Sequence, residues 1–245
     1  MSTKVHIIGS NGRMGQSLIR LANQSSEFEL VGHADLGDDL FSPIDEADAV
    51  IDFSHHTITA TVADETARRG KALVIGTTGH SDQDRQLILE QGKSIPMIFA
   101  SNYAVGVNTL FYLTRKTAEI LGPDYDREIV EMHHRFKKDA PSGTAKTLAE
   151  MICEADQTQL ADVARNGREG ETGERTTSEI GIHALRGGDV VGEHTVYFAA
   201  LGERIELTVR SSNRDSYSSG ALRAAAWLQG KASGVYSMFD VLGLK

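Results

Sequence analysis

Residues 5–18 read VHIIGSNGRMGQSL. A short apolar run, rich in branched side chains, ends at Gly9. Glycines recur at Gly12 and Gly15 just before an apolar periodicity of helical type begins. A strand-glycine-helix junction of this kind lets the chain turn tightly and brings backbone N–H groups at a helix N-terminus against an anion. The spacing is GxxGxxG rather than the commoner GxGxxG, and glycines taken alone also mark plain turns. Their place at the first crossover of a βαβ unit favours the anion-binding reading.

Working outward from this junction, β-branched runs at 4–9, 29–34, 49–54, 72–77 and 96–101 alternate with segments of helix-like apolar spacing. That rhythm predicts a parallel, doubly wound sheet. Residues 102–122 read as one long helix, after which the pattern changes. A strand is expected over 127–133, then a helix carrying the stripe Ala145, Leu148, Met151, Ile152 and Ala155. Residues 165–178, RNGREGETGERTTS, are charged, glycine-rich and nearly free of apolar side chains, and read as a mobile surface loop. Three strand-like runs follow. In the last, Ile205, Leu207 and Val209 alternate with Glu206, Thr208 and Arg210, as expected when one face of a sheet is buried. A helix is expected over 219–230, free to pack on either part. The fold class is therefore an α/β domain followed by an α+β domain, divided as 1–104 plus 215–245 and 105–214.

The composition narrows the function classes. A chain of 245 residues can hold one large core or two small ones. Its formal charge of −9 with no basic stripe argues against a nucleic-acid partner. No apolar run approaches the ~20 residues of a membrane span. The opening MSTKVHIIGSNG carries no signal-peptide pattern, and Cys153 is the sole cysteine, so no internal disulfide forms and a cytoplasmic location is expected.

Two candidate sites emerge. Asp35 stands 20 residues beyond Gly15 at the end of the second strand, where an acid commonly binds the adenosine ribose hydroxyls. Alone it reads as a turn residue; with the glycines the ribose role is the better reading. A carboxylate there repels a 2′-phosphate, and Leu36 next to it offers no neutralising charge, so NADH is expected to be preferred, with NADPH possible. The loops IGTTG (75–79) and FASNYAVGVN (99–108) follow the fourth and fifth strands and should border the nicotinamide, although each by itself reads equally as an ordinary turn. The second candidate is HHRFKKDAPSGTA (133–145), where two histidines, an arginine and two lysines fall within six residues. His133 and Lys137, four apart, are expected on one side of the chain. Ser142, Gly143 and Thr144 then open a helix suited to a carboxylate or phosphate. The competing readings are a solvated basic turn and, for Ser142, a plain N-cap. No metal set is expected, and His183 and His194 read as structural.

GSNGRMG, IGTTG, FASNYAVGVN and above all EMHHRFKKDAPSGTA resemble the 4-hydroxy-tetrahydrodipicolinate (dihydrodipicolinate) reductase family, and the likeness extends over nearly the whole chain. The resemblance implies NAD(P)H-dependent reduction of a cyclic dicarboxylate with loss of water, in diaminopimelate and lysine biosynthesis. It also implies a Rossmann-like cofactor domain, a substrate domain on a mixed sheet, and a homotetramer. It assigns proton handling to His133 and Lys137, and substrate-carboxylate contacts to His134, Gly143 and Thr144. Cofactor contacts fall to Gly9, Ser10, Asn11, Gly12, Arg13, Met14, Asp35, Gly76, Thr77, Thr78, Ala100, Ser101, Asn102 and Tyr103. Two departures stand out: Asp35-Leu36 replaces an acid-arginine pair, and His55-His56-Thr57 occupies a segment where relatives often have proline, its histidines expected to face solvent. Two readings of another class stay open, a dinucleotide-sensing regulator without turnover and a lyase using Lys137 as a Schiff-base nucleophile.

Overall fold

A computed structural model describes residues 2–244. In chain order its regular elements are β1 (Thr3–Ile8), α1 (Arg13–Gln24), β2 (Phe28–Ala34), β3 (Ala49–Asp52), α2 (His56–Arg68), β4 (Ala72–Ile75), α3 (Asp82–Gln91), β5 (Pro96–Phe99) and α4 (Val105–Leu121). There follow β6 (Asp126–His133), α5 (Gly143–Asp156), α6 (Leu160–Val163), β7 (Ala164–Asn166), β8 (Ile180–Arg186), β9 (Gly192–Ala200), β10 (Glu203–Ser211), α7 (Asp215–Trp227), β11 (Gly234–Tyr236) and α8 (Met238–Leu242). The chain forms two units: one joins the segment up to Val105 with that from Arg214 onward, and the other is Gly106–Asn213.

The first unit is a parallel six-stranded sheet in the order β11-β5-β4-β3-β1-β2. Residues 5–8 of β1, and all of β3 and β4, are fully buried, as a parallel sheet covered on both faces requires. On one face Val5, Ile7, Ile51, Val74 and Ile98 pack with Leu18 of α1, Leu222 and Ala225 of α7, and Val241 of α8. On the other, Ile8, Val50, Leu73, Ile75 and Met97 pack with Val62 of α2 and Ile88 of α3. The strand order reverses between β3 and β2 on either side of β1, which makes the carboxyl end of β1 the switch point where such sheets bind ligands.

The second unit is a five-stranded mixed sheet, β10-β9-β6-β8-β7. The β6–β8 and β7–β8 pairs are parallel, and β6–β9 and β9–β10 antiparallel. β6 alternates buried Arg127, Ile129, Glu131 and His133 with half-buried Glu128, Val130 and Met132, and α5 packs against β6 and β9.

Four expectations need correction. Helix α4 starts at Val105 rather than Asn102, because the Asn102 side chain accepts the Ala104 N–H at 2.9 Å and holds the preceding residues in a turn. The segment 165–178 is tethered: Arg168 donates to both oxygens of Glu128 (2.6 and 3.0 Å), and Arg175 to Glu128 (3.1 Å) and Asp126 (2.8 Å). Gly181 makes room for that carboxylate, since a Cβ there would lie 1.9 Å from it. The apolar face of β10 is only partly covered, with Ile205 41% exposed, because β10 is an edge strand. Finally, β11 and α8, which no periodicity announced, form beyond α7 and join the first unit.

The contact of α7 with its own unit is close enough to test. A Cβ on Gly220 would lie 1.8 Å from the Tyr103 carbonyl oxygen, so Gly220→Ala is expected to destabilise the protein by roughly 1–3 kcal/mol, the range for overpacking a tight contact. Denaturant unfolding against wild type checks it.

Candidate active site

In the first unit the glycines of the opening motif divide by their surroundings. Gly9 has φ +87°, and a Cβ on it would lie 2.3 Å from the Phe53 carbonyl oxygen. A Cβ on Gly15 would lie 2.2 Å from the Gly9 carbonyl oxygen. Both are demanded by the backbone itself. Gly12 is different: a Cβ there meets only Gly9 O at an ordinary 3.4 Å. The fold tolerates a side chain at Gly12, so its smallness leaves space for something outside the fold. Gly12 is also the N-cap of α1 without a side-chain cap, and the first turn holds no acid. Its N–H groups and the exposed Arg13 therefore present positive character to an anion.

A cleft of about 470 Å³ opens here, lined by Gly9, Asn11, Gly12, Asp35, Leu36 and Phe53 among others. Asp35 accepts the Asn11 N–H at 2.7 Å and the Leu36 N–H at 2.8 Å, so its carboxylate is already oriented at the cleft wall. Leu36 is 93% exposed beside it. Ser10 is buried and Met14 half-buried, while Asn11 is exposed. Glycine loop, uncapped helix start and acidic wall thus meet at one cleft. His55 is exposed, caps α2 and lines the cleft, while His56 opens α2 half-buried, its ring 4.2 Å from that of His55.

The later loops are held from beneath. Asp52, fully buried and with its pKa raised by burial, accepts from Ser54 N (3.0 Å) and Thr77 Oγ1 (3.2 Å). Gly76 lies against Phe53, and Thr78 is exposed. Ala100 and Asn102 are half-buried and Ser101 is exposed. Tyr103 turns inward: its hydroxyl donates to the Ile75 carbonyl at 2.7 Å, so its side chain belongs to the core.

In the second unit the centre is a residue the sequence reading passed over. Glu131 has zero exposure. Arg186 donates to its two oxygens at 2.8 and 2.9 Å, His133 Nδ1 lies 2.5 Å from Oε2, and the Ser142 N–H donates to Oε1 at 3.0 Å. Burial alone would raise its pKa, but these donors outweigh it and hold the carboxyl at about 2. The signal was faint: a charged residue at an inward position of an alternating strand, its partner 55 residues away.

Around this carboxylate the cluster takes shape. His133 ends β6, and the turn that follows, closed by Lys137 N–H to His134 O (3.1 Å), brings Lys137 round. No regular element carries the four-residue spacing, so the periodicity argument does not apply. Lys137 donates to Asp139 at 2.9 Å and holds that carboxyl below its usual range. Arg135 and Lys138 are exposed, as a solvated turn would have them, and His134 is half-buried. Ser142 is the N-cap of α5, its Oγ accepting the Ala145 N–H. Open space surrounds Gly143, where a Cβ would meet nothing, and Thr144 is half-buried.

His194, read as structural, stands within the cluster: its Nε2 is 3.3 Å from Ser142 Oγ and its ring 5.1 Å from that of His133. Burial first, then the charges of His133 and Lys137, lower its pKa to about 4. His183 instead pairs with Glu128 at 2.7 Å, on the sheet's other face.

Two family models together span nearly all of the chain: "Dihydrodipicolinate reductase, N-terminus" matches residues 3–103 and "Dihydrodipicolinate reductase, C-terminus" residues 106–242. The 4-hydroxy-tetrahydrodipicolinate reductase of Akkermansia muciniphila is 52% identical over 97% of each chain. That of Hahella chejuensis is 45% identical over 99% of this chain and 100% of its own. Among solved structures, the dipicolinate-bound dihydrodipicolinate reductase of Paenisporosarcina sp. TG-14 superposes with a TM-score of 0.78 at 26% identity, covering 98% of this chain and 99% of that one.

The buried imidazole has a consequence for stability. Between pH 6.5 and about 4 the unfolded chain binds a proton that folded His194 refuses, so stability falls as pH drops through that window. Urea midpoints measured across it should decline, and His194→Asn should flatten the slope.

Proposed function

We infer that this chain, which belongs to the dihydrodipicolinate reductase family, reduces 4-hydroxy-tetrahydrodipicolinate to tetrahydrodipicolinate in the biosynthesis of diaminopimelate and lysine. The reaction consumes the substrate, NAD(P)H and one proton, and releases tetrahydrodipicolinate, NAD(P)⁺ and water. The observation that carries this reading is the juxtaposition in the second unit of a proton-bearing imidazole, a lysine and a helix start opening on free space. That set answers what a cyclic dicarboxylate needs: groups to bind two negative charges, and a proton to balance the incoming hydride.

We assign the roles as follows. His134, Gly143 and Thr144 bind a substrate carboxylate, aided by the positive end of α5. Lys137, with its ammonium, attracts the dianion and carries a transferable proton, and His133 shares or relays it. In the first unit Gly9, Ser10, Asn11, Gly12, Arg13 and Met14 receive the pyrophosphate and Asp35 the ribose hydroxyls. Gly76, Thr77, Thr78 and the backbone of residues 100–103 border the nicotinamide. When bound, the dinucleotide supplies the hydride. NADH is the preferred donor, because a 2′-phosphate would meet the Asp35 carboxylate with Leu36, rather than a cation, beside it. The partly uncovered apolar edge of β10 supports assembly with further copies, which we read as a homotetramer in the cytoplasm. Among the described residues no helix is long and apolar enough to cross a membrane.

Oxidation of NADH, followed spectrophotometrically and strictly dependent on enzymatically generated 4-hydroxy-tetrahydrodipicolinate, tests the activity. Lys137→Met should lower kcat by ~10²-fold or more, the scale of a lost general acid, with KM for NADH nearly unchanged. Near-normal turnover would reduce the cluster to charge binding. Catalytic efficiency should also be higher with NADH than with NADPH; the reverse order would overturn the role given to Asp35.

A further inference from the structure

Glu131 stands at zero exposure in the central strand of the second sheet, and packing does not call for a charge there. A buried ion pair contributes no more to stability than apolar residues of similar volume would. What apolar residues could not do is direct protons. An ionised carboxylate only accepts hydrogen bonds, and the donors around this one, Arg186 among them, keep it ionised against the opposing effect of burial. Each of its oxygens takes one arm of the Arg186 fork, at 2.8 and 2.9 Å. Among the described residues the one remaining donor to Oε2 is His133 Nδ1 at 2.5 Å, and the one remaining donor to Oε1 is the Ser142 N–H at 3.0 Å. Because Oε2 cannot donate, the proton in that contact resides on His133 Nδ1. The other ring nitrogen, Nε2, bonds to no described residue. It faces Gly192, where any Cβ would come within 3.2 Å, so the absence of a side chain leaves that nitrogen uncovered.

We propose that Glu131 is the positioning residue of this site: it fixes the His133 proton on Nδ1, leaves Nε2 to exchange protons with substrate, and with its second oxygen holds the Ser142 amide that opens α5. One carboxylate thereby keeps the proton-handling ring and the carboxylate-binding helix start in register. The assignment rests on the reductase reading for its consequence, and on the geometry alone for the tautomer.

The groups around His133 are Glu131 on its own strand, Arg186 opposite it on β8 and His194 on β9, while in the loop that follows β6 Lys137 pairs with Asp139, whose carbonyl accepts from Arg186. Of these, Glu131 is the anion in direct contact with the ring.

The test begins with ¹⁵N NMR of histidine-labelled protein without substrate, the His133 signals being identified by their loss in His133→Gln. Wild type should show the Nδ1–H tautomer near neutral pH. Finding the proton on Nε2 would overturn the proposal, whatever the activity of the chain. Glu131→Gln should then populate the Nε2–H form, lower kcat at least ~10-fold with KM for NADH unchanged, and shift the basic limb of the kcat–pH profile downward. Glu131→Asp, which keeps the charge but not the reach, should leave that limb closer to wild type than Glu131→Gln does. Equal tautomers and superimposable pH profiles in wild type and Glu131→Gln would sink it. Turnover by wild type itself tests the reductase reading separately.

Discussion

A carboxylate removed from water must have all its hydrogen bonds returned to it, and the second unit is organised around that requirement at Glu131. A buried, unpaired charge costs several kcal/mol. The strand beside it supplies Arg186, its own strand supplies His133, and the incoming helix supplies the Ser142 amide. Each donor is also a functional element or fixes one. Arg186 further donates to the Asp139 carbonyl at 2.7 Å, which pins the loop carrying Lys137. The basic cluster is therefore arrayed from below by an acid, and this reconciles local positive character with a chain whose formal charge is −9.

The two units present helix N-termini in contrasting ways. At α1 the cap is glycine, so the first N–H groups have no side-chain acceptor, and the loop before it is made tight by Gly9 and Gly15. A long, flexible dianionic diester linkage suits such an open cradle. At α5 the cap is Ser142, which satisfies Ala145 N–H and is itself clamped by Glu131. That start is rigid, as a small ring with two carboxylates requires if reacting atoms are to be held in place.

Beneath the loops of the first unit, Asp52 does for Ser54 and Thr77 what Glu131 does for His133 and Ser142. Both acids lie at or near the carboxyl end of a strand, inside their sheets. On the other face of the second sheet, Glu128 gathers Arg168, Arg175 and His183, so a glycine-rich segment is fastened to the sheet by long-range pairs.

What the sequence determined by itself was whatever depends on local pattern. The β-α alternation, the glycine motif between the first strand and helix, the acid at the end of the second strand and the string HHRFKKDAPSGTA were legible because period, turn chemistry and short-range spacing are properties of neighbouring residues. From them the fold class and the family could be read. Only the tertiary structure decided which charges meet. Glu131 and Arg186 are 55 residues apart, Glu128 and Arg168 are 40, and neither pairing leaves a trace in any window of the chain. The same holds for Tyr103, whose place in a loop motif gave no sign that its hydroxyl would reach Ile75 O across the sheet. It holds also for β11, too short at three residues to show a period, which forms because β5 offers an open edge. Local sequence sets propensity, but the energy of a buried charge or an added strand comes from partners that only folding brings within hydrogen-bond reach.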